Sequence, residues 1–99
     1  MEGLKENLYR EALDKWGADK QILKTGEECA ELQHAIFRYL LSGDYSTAAN
    51  AIAEEIADVE IMLEQLRIVF SDQPIDAIKH EKLVRLRDRV TGTSRNYGG

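Results

Sequence analysis

Two short stretches of the chain, Glu27-Glu28-Cys29-Ala30-Glu31 and Glu54-Glu55-Ile56-Ala57-Asp58, concentrate carboxylates at helical spacing. Residues three apart on an α-helix differ by about 60° around the axis and one turn along it. Glu28 and Glu31 therefore share one face, and Glu55 and Asp58 another. Two such helices set side by side bring four carboxylates together. Hard oxygen donors of this kind suit Mg²⁺, which takes carboxylates together with waters and phosphate oxygens, with Mn²⁺ as its substitute. Solvated helix faces also carry acidic pairs, because like charges at this spacing cost only a few tenths of a kcal/mol. The second cluster weighs against that plain reading. At about 100° per residue, Glu55 falls within about 60° of the centre of the Ile52–Val59–Leu66 stripe, and Asp58 lies at its edge beside Ala51 and Met62. A carboxylate aimed near a core is costly unless a cation or donor compensates it.

Other residues have types suited to an anionic partner. Glu27 is the spare carboxylate of the first cluster and could position or deprotonate a water, with Glu54 as the second candidate. Lys82 and Arg85, with Lys79 and Arg89 nearby, form a basic set near the end of the chain; Arg binds phosphate in a bidentate fork, whereas Lys acts as a point charge. Lys24 could touch a phosphate, Gln21 could hydrogen-bond a base, and Trp16 could stack on one or plug the core. For each of these a solvated or structural role is the alternative. His34 and His80 read as surface residues, and Cys29 as packing.

The elements that must position these groups are helices. An apolar periodicity of Leu4, Leu8, Ala12 and Leu13 predicts a first helix over 3–16, ended by Gly17, with Asp19 as a cap for the next. A long second helix spans 20–41 with the stripe Ile22, Gly26, Ala30, Gln33, Ile36, Phe37 and Leu40. Ser42-Gly43-Asp44 breaks it, with Gly43 suited to a left-handed turn. The third helix, 46–70, carries Ala48, Ile52, Ile56, Val59, Leu63, Leu66 and Phe70, and a second apolar line of Ala57, Ile61 and Ile68. A helix apolar on two sides is central to a bundle or shared between subunits. Ser71-Asp72-Gln73-Pro74 stops that helix, Pro74 suits the first turn of a fourth over 75–90, and 91–99 reads as a frayed polar tail. The expected fold is therefore all-α, a four-helix, bundle-like subunit in one domain over 1–90.

Composition narrows the classes further. At 99 residues the chain buries only about 60–65 % of its unfolded surface, so it needs a well-formed core or a partner copy. With 43 % hydrophobic and 31 % charged residues it is a folding sequence rather than a disordered one. The net charge of −5 argues against nucleic-acid coating. It divides along the chain: residues 1–78 carry 7 basic against 16 acidic side chains, and residues 79–99 carry 6 against 2. That division fits cations held by the body and phosphates by the end, and equally the random scatter of a solvated surface. The single cysteine excludes a disulfide framework within the chain and fits a cytoplasmic location. No apolar run approaches the roughly 18–20 residues of a membrane span, and the first residues lack the pattern of a secretory signal.

Glu27-Glu28-x-x-Glu31, a gap of 23 residues, then Glu55-x-x-Asp58 resembles the EExxE…ExxD signature of the MazG-like, all-α nucleoside triphosphate pyrophosphohydrolases. Upstream, Trp16-Gly17, Gln21 and Leu23-Lys24 extend the likeness, and downstream Lys82-Leu83-Val84-Arg85 with Arg89 is similar to the family's K-x-x-R segment, so that residues 4–90 are covered. The resemblance implies a helical core that binds Mg²⁺ through Glu28, Glu31, Glu55 and Asp58, hydrolyses nucleoside triphosphates to monophosphate and pyrophosphate, and assembles as a homodimer or homotetramer. In that reading Glu27 serves as catalytic base, and Gln21, Lys24, Lys82 and Arg85 bind substrate. Gly26 and Glu60 depart from the residues usual in the family. A phosphoribosyl-ATP pyrophosphatase-like enzyme and a non-catalytic helical oligomerisation or adaptor module are the alternatives. The first lacks support from an aromatic-His stretch after Asp58, and the second gains nothing from a carboxylate at position 55.

Overall fold

The computed structural model describes residues 2–92, with side chains described from Gly3 onward, and is all-helical over that range. Four helices follow in order: α1 (Glu2–Trp16), α2 (Ala18–Leu41), α3 (Tyr45–Phe70) and α4 (Asp72–Thr91). The first two breaks lie where turn chemistry placed them; the third is Ser71 alone, because Asp72, Gln73 and Pro74, expected in the stop before a helix over 75–90, form the first turn of α4. Gly17, at φ 90°, ends α1 and stands as N-cap of α2, so Asp19 falls inside the first turn rather than capping it. A short link through Ser42, Gly43 and Asp44 turns α2 into α3, and Gly43 does not take the left-handed conformation expected of it. Asp44 caps α3, its carboxylate accepting from the Thr47 backbone N–H at 3.3 Å and from the Thr47 hydroxyl at 2.9 Å. Asp44→Ala should therefore lower stability by about 1 kcal/mol, measurable as a shifted denaturant midpoint at unchanged slope; an unshifted midpoint would show the cap to be idle. The frayed tail was expected from Thr91, but Thr91 is the last residue of α4 and Gly92 its left-handed cap; positions 93–99 lie outside the described residues.

The fold's centre is the antiparallel hairpin of α2 and α3, whose packing is the most extensive in the chain. Its register is fixed near the turn by the edge-on contact of Tyr39 and Tyr45 rings, 5.3 Å apart, and at the far end by a hydrogen bond between Gln21 and Gln65. On α3 the seam runs through Ala48, Ile52, Glu55, Val59, Met62 and Leu66, alternating steps of four and three. That matches much of the expected stripe, although Ile56, Leu63 and Phe70 remain 42 %, 45 % and 55 % exposed.

On α2 the outcome differs. The face against α3 is Gln21, Thr25, Glu28, Leu32, Ala35 and Tyr39, whereas Ile22, Ile36, Phe37 and Leu40 of the expected stripe are exposed. Cys29 is exposed as well, not packed. A seam of heptad-like spacing was present in the sequence, but Gln21, Thr25 and Glu28 in it are polar, and a search for apolar residues selects a different face.

Helix α1 leans on both central helices. It docks through Tyr9, which is buried and donates its hydroxyl to Glu64, and through Lys5, whose Nζ lies 3.4 Å from the same carboxylate. Leu4 and Leu8, expected to face inward, are exposed. Helix α4 touches α3 alone and contributes no buried residue. Its start is held by Arg67, which reaches Asp72 at 3.0 Å and Asp76 at 2.8 Å. The radius of gyration is 17.0 Å, against about 13 Å for a compact chain of this length. The exposed surface of 7722 Å² likewise exceeds the roughly 5,700 Å² of a compact 11.2-kDa monomer.

Candidate metal and nucleotide site

Three of the four carboxylates expected to converge do so. Glu28 from α2 and Glu55 and Asp58 from α3 each place an oxygen within 4.8 Å of the others. The cause is the seam itself. Glu28 and Glu55 occupy positions where a coiled hairpin ordinarily sets apolar knobs, facing each other across the interface, and Asp58 follows Glu55 by one turn. Glu31 is exposed and stands outside this triad, yet its charge still acts on Glu55.

The electrostatics of the triad are unfavourable as they stand. The Oε2 atom of Glu55 is buried and has no hydrogen-bond partner among the described residues. Burial pushes the Glu55 carboxyl above the usual carboxylate range, and the charges of Asp58, Glu28, Glu31 and Glu54 push it the same way. The cation nearest at hand is Lys24, whose Nζ lies 3.4 Å from Glu28 on the same helix. Two other buried polar residues of the seam do find partners: the Gln21 amide donates to Gln65, and the Thr25 hydroxyl donates to the Gln21 carbonyl at 2.8 Å. The three carboxylates form an all-oxygen donor set, the type that could hold a hard divalent cation such as Mg²⁺ or Mn²⁺.

Two adjoining hollows open along the hairpin from this point. One, of about 270 Å³, is lined by Lys24, Glu28, Asp58, Ile61 and Met62. The other, of about 500 Å³, is bordered by Trp16, Gln21, Lys24, Glu27, Met62 and Gln65. Lys24 and Met62 belong to both, so carboxylates and glutamines occupy the two ends of one groove. Gln21, Lys24 and Glu27 therefore line one hollow together, so Glu27 borders that hollow rather than the triad.

Lys82 and Arg85 are not brought to this groove. They ride on α4, and Arg85 borders a separate shallow hollow with His80, Glu81 and Val84. Trp16, half-exposed, walls the larger hollow and does not plug the core. Gln65 escaped the sequence reading altogether. The signal that could have found it is its place one helical turn past Met62, a second polar side chain at seam spacing opposite Gln21. Comparison of the chain with protein-family models, with characterised proteins and with solved structures returns no match in any of the three.

Proposed function

We propose that the chain is a Mg²⁺-dependent nucleoside triphosphate pyrophosphohydrolase that cleaves the α–β phosphoanhydride bond to give a monophosphate and pyrophosphate, and so limits or cleans a nucleotide pool. The observation that carries this reading is the buried, partnerless Glu55 Oε2 set beside Glu28 and Asp58. An adaptor or oligomerisation module has no use for a carboxylate whose burial and neighbours both disfavour its charge. Resemblance of the acidic spacing to the MazG-like pattern supplies the reaction class.

Glu28, Glu55 and Asp58 are the residues that would hold the cation, with Glu31 close enough to add charge. When bound, Mg²⁺ neutralises phosphoryl oxygens and lowers the pKa of water. The chain's own groups do the rest. Lys24 stands where the two hollows meet, so its ammonium is available to phosphate oxygens as a point charge. Water adds across the α–β anhydride, its proton passing to Glu27 and the electron pair of the broken P–O bond to the departing oxygen. Lys82 and Arg85 enter this scheme only if another copy of the chain presents them.

Self-association, as a homodimer or homotetramer, belongs to the same proposal. It is supported by the extended shape, by an α4 that buries nothing and by the exposed line Ile56, Leu63 and Phe70.

The test is a panel of ribo- and deoxynucleoside triphosphates with Mg²⁺, scored for pyrophosphate against orthophosphate. Pyrophosphate together with monophosphate is expected. Orthophosphate as the primary product, or no release from any member, would reject the reading.

A further inference from the structure

The larger hollow has a floor that no metal chemistry explains. Gln21 is 7 % and Gln65 4 % exposed, and the Gln21 Nε2 amide donates to Gln65 Oε1 at 2.7 Å. That bond uses one end of each amide. The Gln21 Oε1 oxygen accepts no hydrogen bond among the described residues, although Gln21 lines the hollow. The Gln65 Nε2 group meets only the Met62 thioether, at 3.8 Å, and sulfur is a weak acceptor. One acceptor and one donor are thus held next to each other at the bottom of an opening, locked by their mutual bond.

We propose that the Gln21–Gln65 amide pair recognises the base of the nucleotide by its pairing edge, with Trp16 against the ring face. This inference rests on the nucleotide reading given above and deepens it. A nucleobase presents adjacent donor and acceptor atoms on that edge, the complement of what the two amides leave open. Unpaired bases are bound in this way, stacked on an aromatic ring and hydrogen-bonded along the edge. The hollow, at about 500 Å³, lies within the roughly 300–1,000 Å³ of small-ligand sites. Lys24 and Met62 also line the adjoining hollow that contains Glu28 and Asp58, so a base at the amides sends its phosphates toward the triad. Pre-paired amides are rigid, and a site built to hydrogen-bond rejects an edge that cannot answer it, because its buried groups are then left unsatisfied.

Trp16 is the chain's sole tryptophan, so its fluorescence reports occupancy of the hollow without metal or turnover. Uridine, cytidine, adenosine and guanosine are titrated against the full chain, alongside 3-methyluridine, whose edge donor is blocked. Saturable quenching by at least one unmodified nucleoside is expected, with 3-methyluridine at least about tenfold weaker than uridine, the scale of one hydrogen bond. Gln65→Leu should lose that affinity. Because it leaves the Gln21 amide unpartnered and can unfold the hairpin, the double variant Gln21→Leu/Gln65→Leu, which removes both partners together, is measured beside it at native helicity. Uridine and 3-methyluridine binding alike, quenching unchanged in the double variant, or no quenching by any nucleoside would overturn the proposal. Pyrophosphate release with affinity indifferent to the edge removes this inference and keeps the enzyme. Edge-dependent quenching without pyrophosphate release does the reverse.

Discussion

Glu55→Gln should abolish Mg²⁺-dependent pyrophosphate release, by at least about 100-fold, while leaving the helical content intact. Loss of a residue that merely supports a metal ligand costs about 10–100-fold, and Glu55 is placed as a ligand itself, with Glu28 and Asp58 within 4.8 Å. The same change should have the opposite effect on the metal-free fold. The Glu55 carboxyl is held above the usual range, by burial first and by Asp58 and Glu28 next, so folding favours its protonated form. Its contribution is present in full below the unfolded value and is lost as pH rises through the folded one. Without metal, the wild-type Tm should therefore rise as pH falls from neutral toward the ordinary carboxylate range, and Glu55→Gln should melt higher than wild type at pH 7. Below that range Glu64 reverses the trend. Its carboxyl is lowered chiefly by the Tyr9 hydroxyl, against some burial, and by Lys5 and Arg67, so its stabilisation is lost as pH falls through that lowered value. Saturating Mg²⁺ should raise the wild-type Tm, by about 2.7 kcal/mol of stability at a hundred times Kd, and leave the variant unmoved. A Glu55→Gln chain that retains full activity removes residue 55 from the site.

Ile56→Glu combined with Leu63→Glu should convert the proposed homo-oligomer into an 11.2-kDa monomer or unfold it, as read by sedimentation and circular dichroism. Both side chains sit on the outer line of α3, 42 % and 45 % exposed, so within one copy the substitutions remove little packing. Fully burying such a side chain is worth about 1.5–3 kcal/mol, and a symmetric contact counts each change twice. Placing four like charges at that contact would exceed the association energy of an ordinary dimer of modest affinity. An unchanged, well-folded oligomer would move the interface elsewhere, to the exposed Ile36, Phe37 and Leu40 of α2 or to α4.

Helix boundaries and the acidic spacing were legible in the sequence because both follow from local rules. Gly17 and the Ser42–Asp44 turn interrupt periodicity where the helices end, and Glu55 with Asp58 lies beside an apolar stripe that does face the partner helix. The face of α2 was not legible. Its seam residues Gln21, Thr25 and Glu28 are polar, while Ile36, Phe37 and Leu40 stay exposed on a single copy. Apolar periodicity thus pointed at surface not covered within one chain, and polar residues in the helix seam inverted the ordinary signal. Gln65 was missed for the same reason. The placement of Lys82 and Arg85 depends on how α4 leaves Ser71, a single residue at φ 77° between two helices, and no spacing rule reports that angle.

Binding of Mn²⁺ to wild type and to Glu55→Gln, followed by the loss of the free aqueous Mn²⁺ resonance, tests the carboxylate site most directly, because it needs neither substrate nor turnover. The expected result is one saturable site per chain in the wild type that Mg²⁺ displaces and that Glu55→Gln loses. Equal Mn²⁺ affinity in the two proteins, or none in either, would contradict it.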